Sequence, residues 1–232
     1  MIVVIPAYNE EKNIIRVLKE LSDLNIDSIV VDDGSVDKTR KLVEEFIKNN
    51  ENNNKIYTIF KDKNQGKSSA LKDGTKLALD LNYEYIVYMD GDHQHKPEDI
   101  PKMFKKLKEK NADAVFGIRK YNHIPFHRQI SNFVASIIMS LTVSFYSRRP
   151  YIFRDIQCGF RIIKSSFLKD AYFGDGYSVE HLIALQLAKK GAKIVEEYVT
   201  IEYHPDATSY ITTKKIVDVV KEVAKFVLFR NR

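Results

Sequence analysis

Five short runs in the first half of the chain, 2–5, 28–32, 55–60, 85–90 and 112–117, are dominated by apolar residues and do not alternate them with polar ones. That is the pattern of strands covered on both faces. Helical patterns separate the runs. Ile14, Val17, Leu18 and Leu21 fall at i, i+3, i+4 and i+7, with Asn9 as the expected cap and Glu10 and Glu11 in the opening turn. A second helix is expected from near Ser35, with Leu42, Val43, Phe46 and Ile47 on one face. The polar stretch 49–54 reads as a turn, and Pro97 and Pro101 mark the start of a further helix. Strand and helix in alternation predict an α/β fold, with a mostly parallel central sheet flanked by helices.

After Arg119 the rhythm changes. A loop containing Pro125 leads into a Ser-rich apolar helix over 129–146, followed by Arg148, Arg149 and Pro150. Then come a short run around Gly159, a helix over 179–190, a strand over 194–203 and a basic amphipathic helix over 213–229. With no repeat, low-complexity tract or linker, residues 1–232 are expected to form one domain with a divergent C-terminal third after about residue 118.

The 37 Lys+Arg exceed the 31 Asp+Glu by +6, which favours an anionic partner without identifying it. Nucleic acid is not expected, because no basic stripe with interleaved aromatics is present. The one cysteine, Cys158, excludes an intramolecular disulfide framework and any multi-cysteine zinc site. The chain opens without a basic n-region, and no segment reaches the ~20 apolar residues of a membrane span. The longest candidate, 133–145, is interrupted by Ser136, Ser140, Thr142 and Ser144. A cytoplasmic protein is therefore expected. The helices over 129–146 and 213–229, flanked by Lys and Arg, suit either a bilayer surface or packing within the protein.

Acidic residues sit where strands end, the place where open α/β sheets bind ligands. Asp32 and Asp33 close the second run; Asp90-Gly91-Asp92, followed by His93-Gln94-His95, closes the fourth. Two carboxylates separated by Gly can converge on a hard cation that keeps positions open for phosphate oxygens. Competing phosphate motifs fail. Gly174 and Gly176 lack a third Gly at Val179, and Gly66-Lys67-Ser68 has Lys61 where a phosphate-binding loop needs Gly.

Together these motifs resemble the family 2 glycosyltransferases of GT-A fold. Pro6-Ala7-Tyr8-Asn9-Glu10 is similar to the family's opening motif, which implies that Pro6, Tyr8 and Glu10 border the nucleotide base. The 31–35 stretch, with Asp37 and Thr39 beyond, resembles the second motif, whose later Asp, Asp33 here, contacts the nucleoside. Asn64, Gly66, Lys67, Ala70 and Gly74 resemble the third and add Lys67 to the nucleotide site. Met89-Asp90-Gly91-Asp92-x-Gln94 matches the metal-binding segment, implying Mg²⁺ or Mn²⁺ on Asp90, Asp92 and Gln94, with Asp90 and Gly91 also at the nucleotide.

Within the family the resemblance is closest to polyprenyl-phosphate (dolichyl-phosphate) mannose synthases. Gly117-x-Arg119 and Pro125-Phe126-His127-Arg128 resemble their phosphate-binding stretch, and Asp155-x-x-Cys158-Gly159-Phe160-Arg161 resembles their acceptor-side segment. Arg119, Arg128 and Arg161 are thereby expected at phosphates. The pattern then departs: His204 stands where those enzymes carry Arg, and Tyr210 where they carry Lys, leaving His204 and Ser209 as the acceptor-side candidates. The resemblance implies inverting transfer from GDP-mannose or a UDP-sugar to a polyprenyl phosphate, with Asp92 and Asp155 as catalytic residues. A lipid phosphate needs no deprotonation; a saccharide hydroxyl needs a base, for which Asp155 is the candidate. The alternatives are a UDP-sugar transferase acting on such a hydroxyl and a non-catalytic nucleotide-sugar binding protein. His93 and His95 read as neighbours of the metal motif, Cys158 as a packing residue, and Glu180 as a helix-opening acid with an acceptor-site role in reserve.

Overall fold

A computed structural model describes residues 1–119, 126–176, 178–202 and 213–229, with side chains left out at 126–131 and 213–217. Seven strands form one sheet: β1 (Ile2–Ala7), β2 (Asp27–Asp32), β3 (Ile56–Phe60), β4 (Tyr85–Tyr88), β5 (Ala114–Arg119), β6 (Arg161–Lys164) and β7 (Ile194–Val199). Their order is β3-β2-β1-β4-β6-β5-β7. All neighbouring pairs are parallel except those of β6, which runs antiparallel to both β4 and β5. The expected short run around Gly159 is the approach to this reversed strand.

Two buried clusters explain why polar residues do not alternate through the strands. Ile2, Val4, Ile29 and Val31 face one side, with Ile86 and Phe116. Val3, Ile5, Val30, Val87 and Val115 face the other. Helices α1 (Ile14–Asp23), α2 (Thr39–Lys48) and α4 (Asp99–Glu109) contribute to the second cluster. Helices α3 (Lys67–Asp80), α5 (Phe126–Ser147), α6 (Val179–Lys189) and α7 (Thr213–Phe229) contribute to the first. The apolar set expected for α1 is buried in full.

Two expected starts move. Asn9 does not cap α1: it has φ +57°, donates its backbone N–H to Ser35 Oγ at 2.9 Å, and accepts from Val36 N at 2.9 Å. Helix α2 begins at Thr39, because the Ser35 N–H and hydroxyl are both held by Asp32. Helix α3 has no counterpart among the expected helices. Its buried face is Ser68, Ala70, Leu71, Gly74, Thr75 and Ala78, small and partly polar, so it carries little apolar periodicity. The same smallness lets it lie close to the sheet. A Cβ on Gly74 would stand 2.4 Å from Val4 Cγ1 and 3.1 Å from Val31 Cγ2.

The serines that interrupt α5 bind backbone. Ser144, Ser140 and Ser136, each four residues apart, accept N–H bonds from Tyr151 (2.8 Å), Phe153 (2.9 Å) and Ile156 (3.2 Å). A second face of α5, Met139, Val143 and Tyr146, is buried in the core. A third, carrying Phe133, Val134, Ile137, Ile138, Leu141 and Phe145, is exposed. Helix α7 packs inward through Val223 and Phe226, whose ring stacks on Tyr172 with centroids 5.8 Å apart.

His181 on α6 is buried, and that burial pushes its pKa down to about 4. A depressed imidazole stabilises the fold above its unfolded pKa, and the gain is lost as pH falls towards the folded value. Chemical unfolding of His181→Leu is therefore expected to show a loss between pH 6.5 and 4.5 smaller than that of the parent by about 2 kcal/mol. Parallel curves for the two proteins would remove His181 as the cause.

Candidate active site

The carboxyl ends of β1, β2 and β4 form one edge, and four loops meet there. The loop after β1 is laced to the loop after β2 by Glu10 N donating to Thr39 Oγ1 (2.8 Å) and Lys38 N donating to Glu11 Oε2 (3.1 Å). This leaves Tyr8 44% exposed beside Pro6. Asp33 has a different duty from the expected nucleoside contact. Its Oδ2 accepts from Gln65 N (3.0 Å) and Gly66 N (2.7 Å), and its Oδ1 pairs with Lys61 Nζ (3.0 Å). Buried and paired, it holds the loop that leads into α3.

Asp90 and Asp92 follow β4. The turn is tight: a Cβ on Gly91 would lie 3.2 Å from Pro6 O, and Gln94 N donates to Asp92 Oδ1 at 3.0 Å. His93 turns away with φ +60° and meets Glu20 Oε1 at 2.7 Å through Nε2. His95 lies beneath, buried against Phe160, and burial pushes its pKa down to about 4.

Burial, reinforced by Asp92, Asp90 and Asp37, raises the Glu10 carboxyl to about 7. The edge thus concentrates negative charge. Lys67, the first residue of α3, lies within it, with Nζ 2.7 Å from Asp90 Oδ1 and 3.1 Å from Glu180 Oε1. Burial opposes that charge on Lys67, but the two carboxylates outweigh it and hold the ammonium's pKa above its usual value. Asp90, despite burial, is held below the usual carboxylate range by Lys67 first. Among the described residues no three His, Cys, Asp or Glu groups form a closed metal cage. Asp90, Asp92 and Gln94 carry oxygen donors, the ligand type that hard divalent cations take.

On the acceptor side, Arg119 ends β5 and grips Asp155. Its Nε donates to Oδ2 at 2.7 Å, an NH2 nitrogen to Oδ1 at 2.8 Å, and its backbone N to Oδ2 at 3.1 Å. Asp155 is wholly buried, so both oxygens are occupied and the carboxylate is not presented as a base. Arg161 is also displaced from its expected duty. It is 1% exposed, covers the Phe116 ring at 4.0 Å, and donates to Cys158 O, Glu180 O and Ile156 O. It braces the backbone under the site and meets no solvent. Cys158 is a buried packing residue whose thiol burial pushes up to about 12. The Arg128 side chain, His204 and Ser209 lie outside the described residues. Glu180 is the residue the sequence placed too loosely: only the fold brings its carboxylate to Lys67.

Residues 2–171 match the family model described as Glycosyl transferase family 2. The chain belongs to that family and is a glycosyltransferase of GT-A fold. It is 67% identical over 98% of its length to an uncharacterized protein of Methanocaldococcus jannaschii, covering 99% of that protein. It is 34% identical over 72% of its length to the UDP-N-acetylglucosamine–dolichyl-phosphate N-acetylglucosaminyltransferase of Methanococcus voltae, covering 70% of it. An undecaprenyl-phosphate mannosyltransferase of Micrococcus luteus is 27% identical over 86% of the chain and 82% of that enzyme. Among solved structures, glucosyl-3-phosphoglycerate synthase of Mycobacterium tuberculosis, in complex with Mn²⁺, UDP and glucosyl-3-phosphoglycerate, superposes with TM-score 0.69 at 17% identity. That match covers 99% of this chain and 78% of the other.

Asp155→Asn removes the buried carboxylate that accepts three bonds from Arg119 and leaves the partly buried guanidinium without that counter-charge. Asp155→Asn is expected to destabilise the fold by about 3 kcal/mol, as measured by denaturant unfolding. A change below about 0.5 kcal/mol would show that the pair does not hold the acceptor side together.

Proposed function

We propose that the protein transfers a hexose, with inversion, from a nucleoside diphosphate sugar to a polyprenyl phosphate in a divalent-metal-dependent reaction. The observation that carries the choice of acceptor is the Arg119–Asp155 pair. The carboxylate best placed to deprotonate a hydroxyl is saturated, and a guanidinium stands at the acceptor side. A phosphate monoester, with its second pKa of about 6, is already ionised at neutral pH and needs a cation to place it more than a base. Its oxygen attacks the anomeric carbon from the face opposite the leaving group. The bond to the diphosphate breaks, the electron pair leaves with it, and no proton moves.

Pro6 and Tyr8 would border the base, and Asp33 would act indirectly by fixing the loop before Lys67. Asp90, Asp92 and Gln94 would hold Mg²⁺ or Mn²⁺, which when bound neutralises charge on the leaving diphosphate. Relatives that act on dolichyl and undecaprenyl phosphates support a lipid acceptor, and their names divide the donor between UDP-N-acetylglucosamine and a mannosyl donor. The exposed stripe of α5 supports the same reading. Beside it, a groove of about 460 Å³ is lined by Phe133, Ile137, Leu141, Ile152, Phe153 and Arg154, next to Asp155. No helix among the described residues is long and apolar enough to cross a membrane, so contact with the bilayer would be made at its surface.

Purified protein is expected to glycosylate a C55 polyprenyl phosphate from UDP-N-acetylglucosamine or GDP-mannose with Mn²⁺, and to stop in EDTA. Asp92→Asn should lower kcat by about 100-fold or more. Turnover of a saccharide hydroxyl alone, or indifference to EDTA, would overturn the proposal. Separately, Ile138→Glu/Leu141→Glu should reduce co-sedimentation with anionic liposomes while leaving the melting temperature near the parent's; unchanged co-sedimentation would discard the α5 stripe as the bilayer contact.

A further inference from the structure

Lys67 stands where a helix least favours a cation. It opens α3, whose N-terminal end already carries partial positive charge. What holds its ammonium there is the pair of carboxylates, Asp90 on the loop after β4 and Glu180 on α6. The surroundings are shaped for this bridge. A Cβ on Gly159 would lie 3.1 Å from Lys67 Nζ, 3.4 Å from Asp90 Oδ2 and 3.5 Å from Glu180 Oε1, so the backbone closes one side directly over the charges. Ser68 Oγ donates to Gly176 O at 2.8 Å, fastening the first turn of α3 to the loop that precedes α6. This tie between the starts of the two helices does not involve Asp90.

We propose that Lys67 is the resident counter-ion of the metal site and a positioning residue of the transfer. Its ammonium neutralises Asp90 in the free enzyme and is displaced from Asp90 only when a divalent cation and a diphosphate arrive together. The inference rests on the metal-dependent reading above and adds to it a rule for binding. A cation alone must compete with the ammonium for Asp90 Oδ1. A cation that brings a diphosphate supplies the ammonium with a new anionic partner, because any anion sharing Asp90's cation lies beside Lys67. Glu180 keeps the ammonium near the site throughout the exchange. Metal and nucleotide should consequently bind with positive coupling, and the coupling should be reciprocal.

The test is Mn²⁺ binding to the full chain, followed by electron paramagnetic resonance of free Mn²⁺ and by calorimetry, with and without UDP or GDP. For the parent protein, either nucleotide is expected to tighten Mn²⁺ binding by about tenfold or more. For Lys67→Met, Mn²⁺ alone should bind about tenfold tighter than to the parent, and the coupling should fall by about the same factor. Lys67→Arg should keep it. Lys67→Met/Glu180→Gln removes one charge of each sign and serves if the single variant does not fold; it should show the same loss of coupling. Mn²⁺ binding by the parent that is unchanged in folded Lys67→Met or the double variant would overturn this inference and leave the metal-dependent reading intact. No Mn²⁺ binding by the parent, even with both nucleotides tried, would overturn both.

Discussion

The close approach of α3 to the sheet governs the geometry of the site. At Gly74 the helix backbone comes so near Val4 and Val31 that even a methyl group would have to displace them. With α3 seated there, its first residue, Lys67, reaches Asp90, and the loop before it comes under Asp33. Thr75, the residue after Gly74, adds a buried bond shared with Tyr88 OH at 2.7 Å, tying the same helix to β4. The carboxylates at the ends of β2 and β4 are thus set relative to one another by a helix that contributes almost no bulk to the core.

Charge pairing repeats along this edge. Asp33 is matched by Lys61, Asp90 by Lys67 and Asp155 by Arg119, each cation coming from a segment distant in sequence or from a different element. Buried carboxylates are tolerable only when paired, so each pair also fixes one loop against another. The pairs differ in what they leave available. Asp33 and Asp155 are buried against backbone N–H groups and a cation and serve as fasteners. Asp90 shares its cation with Glu180 at a partly exposed position, which leaves its oxygens open to exchange.

Legibility in the sequence followed the apolar pattern. The two-sided strands, α1 and α6 announce themselves because their buried faces are large and aliphatic. Helix α3 was illegible because its buried face is made of Ser, Ala, Gly and Thr, and the reversal of β6 was illegible because strand direction leaves no mark on a four-residue run. The motif residues at strand ends were found as a set, but motif membership does not separate a ligand from a fastener. Asp33 and Asp92 look alike in sequence; in the fold Asp33 takes two N–H groups from the loop before α3 and pairs with Lys61, whereas Asp92 takes one from Gln94 in its own turn. Arg161 looked like a phosphate ligand until Phe116 and three backbone carbonyls accounted for its guanidinium. Glu180 showed in the sequence only as a helix-opening acid, because its pairing with Lys67 exists only in the fold.

Helix α5 links the acceptor chemistry to the surface. Its serine face binds the backbone at Tyr151, Phe153 and Ile156, and this extended segment delivers Asp155, which in turn grips Arg119. Its opposite exposure is the apolar stripe from Phe133 to Phe145. One rigid element therefore sets both the guanidinium proposed to receive the acceptor's phosphate and the surface proposed to face the lipid. An acceptor with a charged head and an isoprenoid tail requires those two features at a fixed separation. A helix that carried only the stripe, or a loop that carried only the arginine, would leave that separation to chance. The interruption of α5 by serine, which at first reads as a defect in an apolar helix, is what allows the two features to be built on one scaffold.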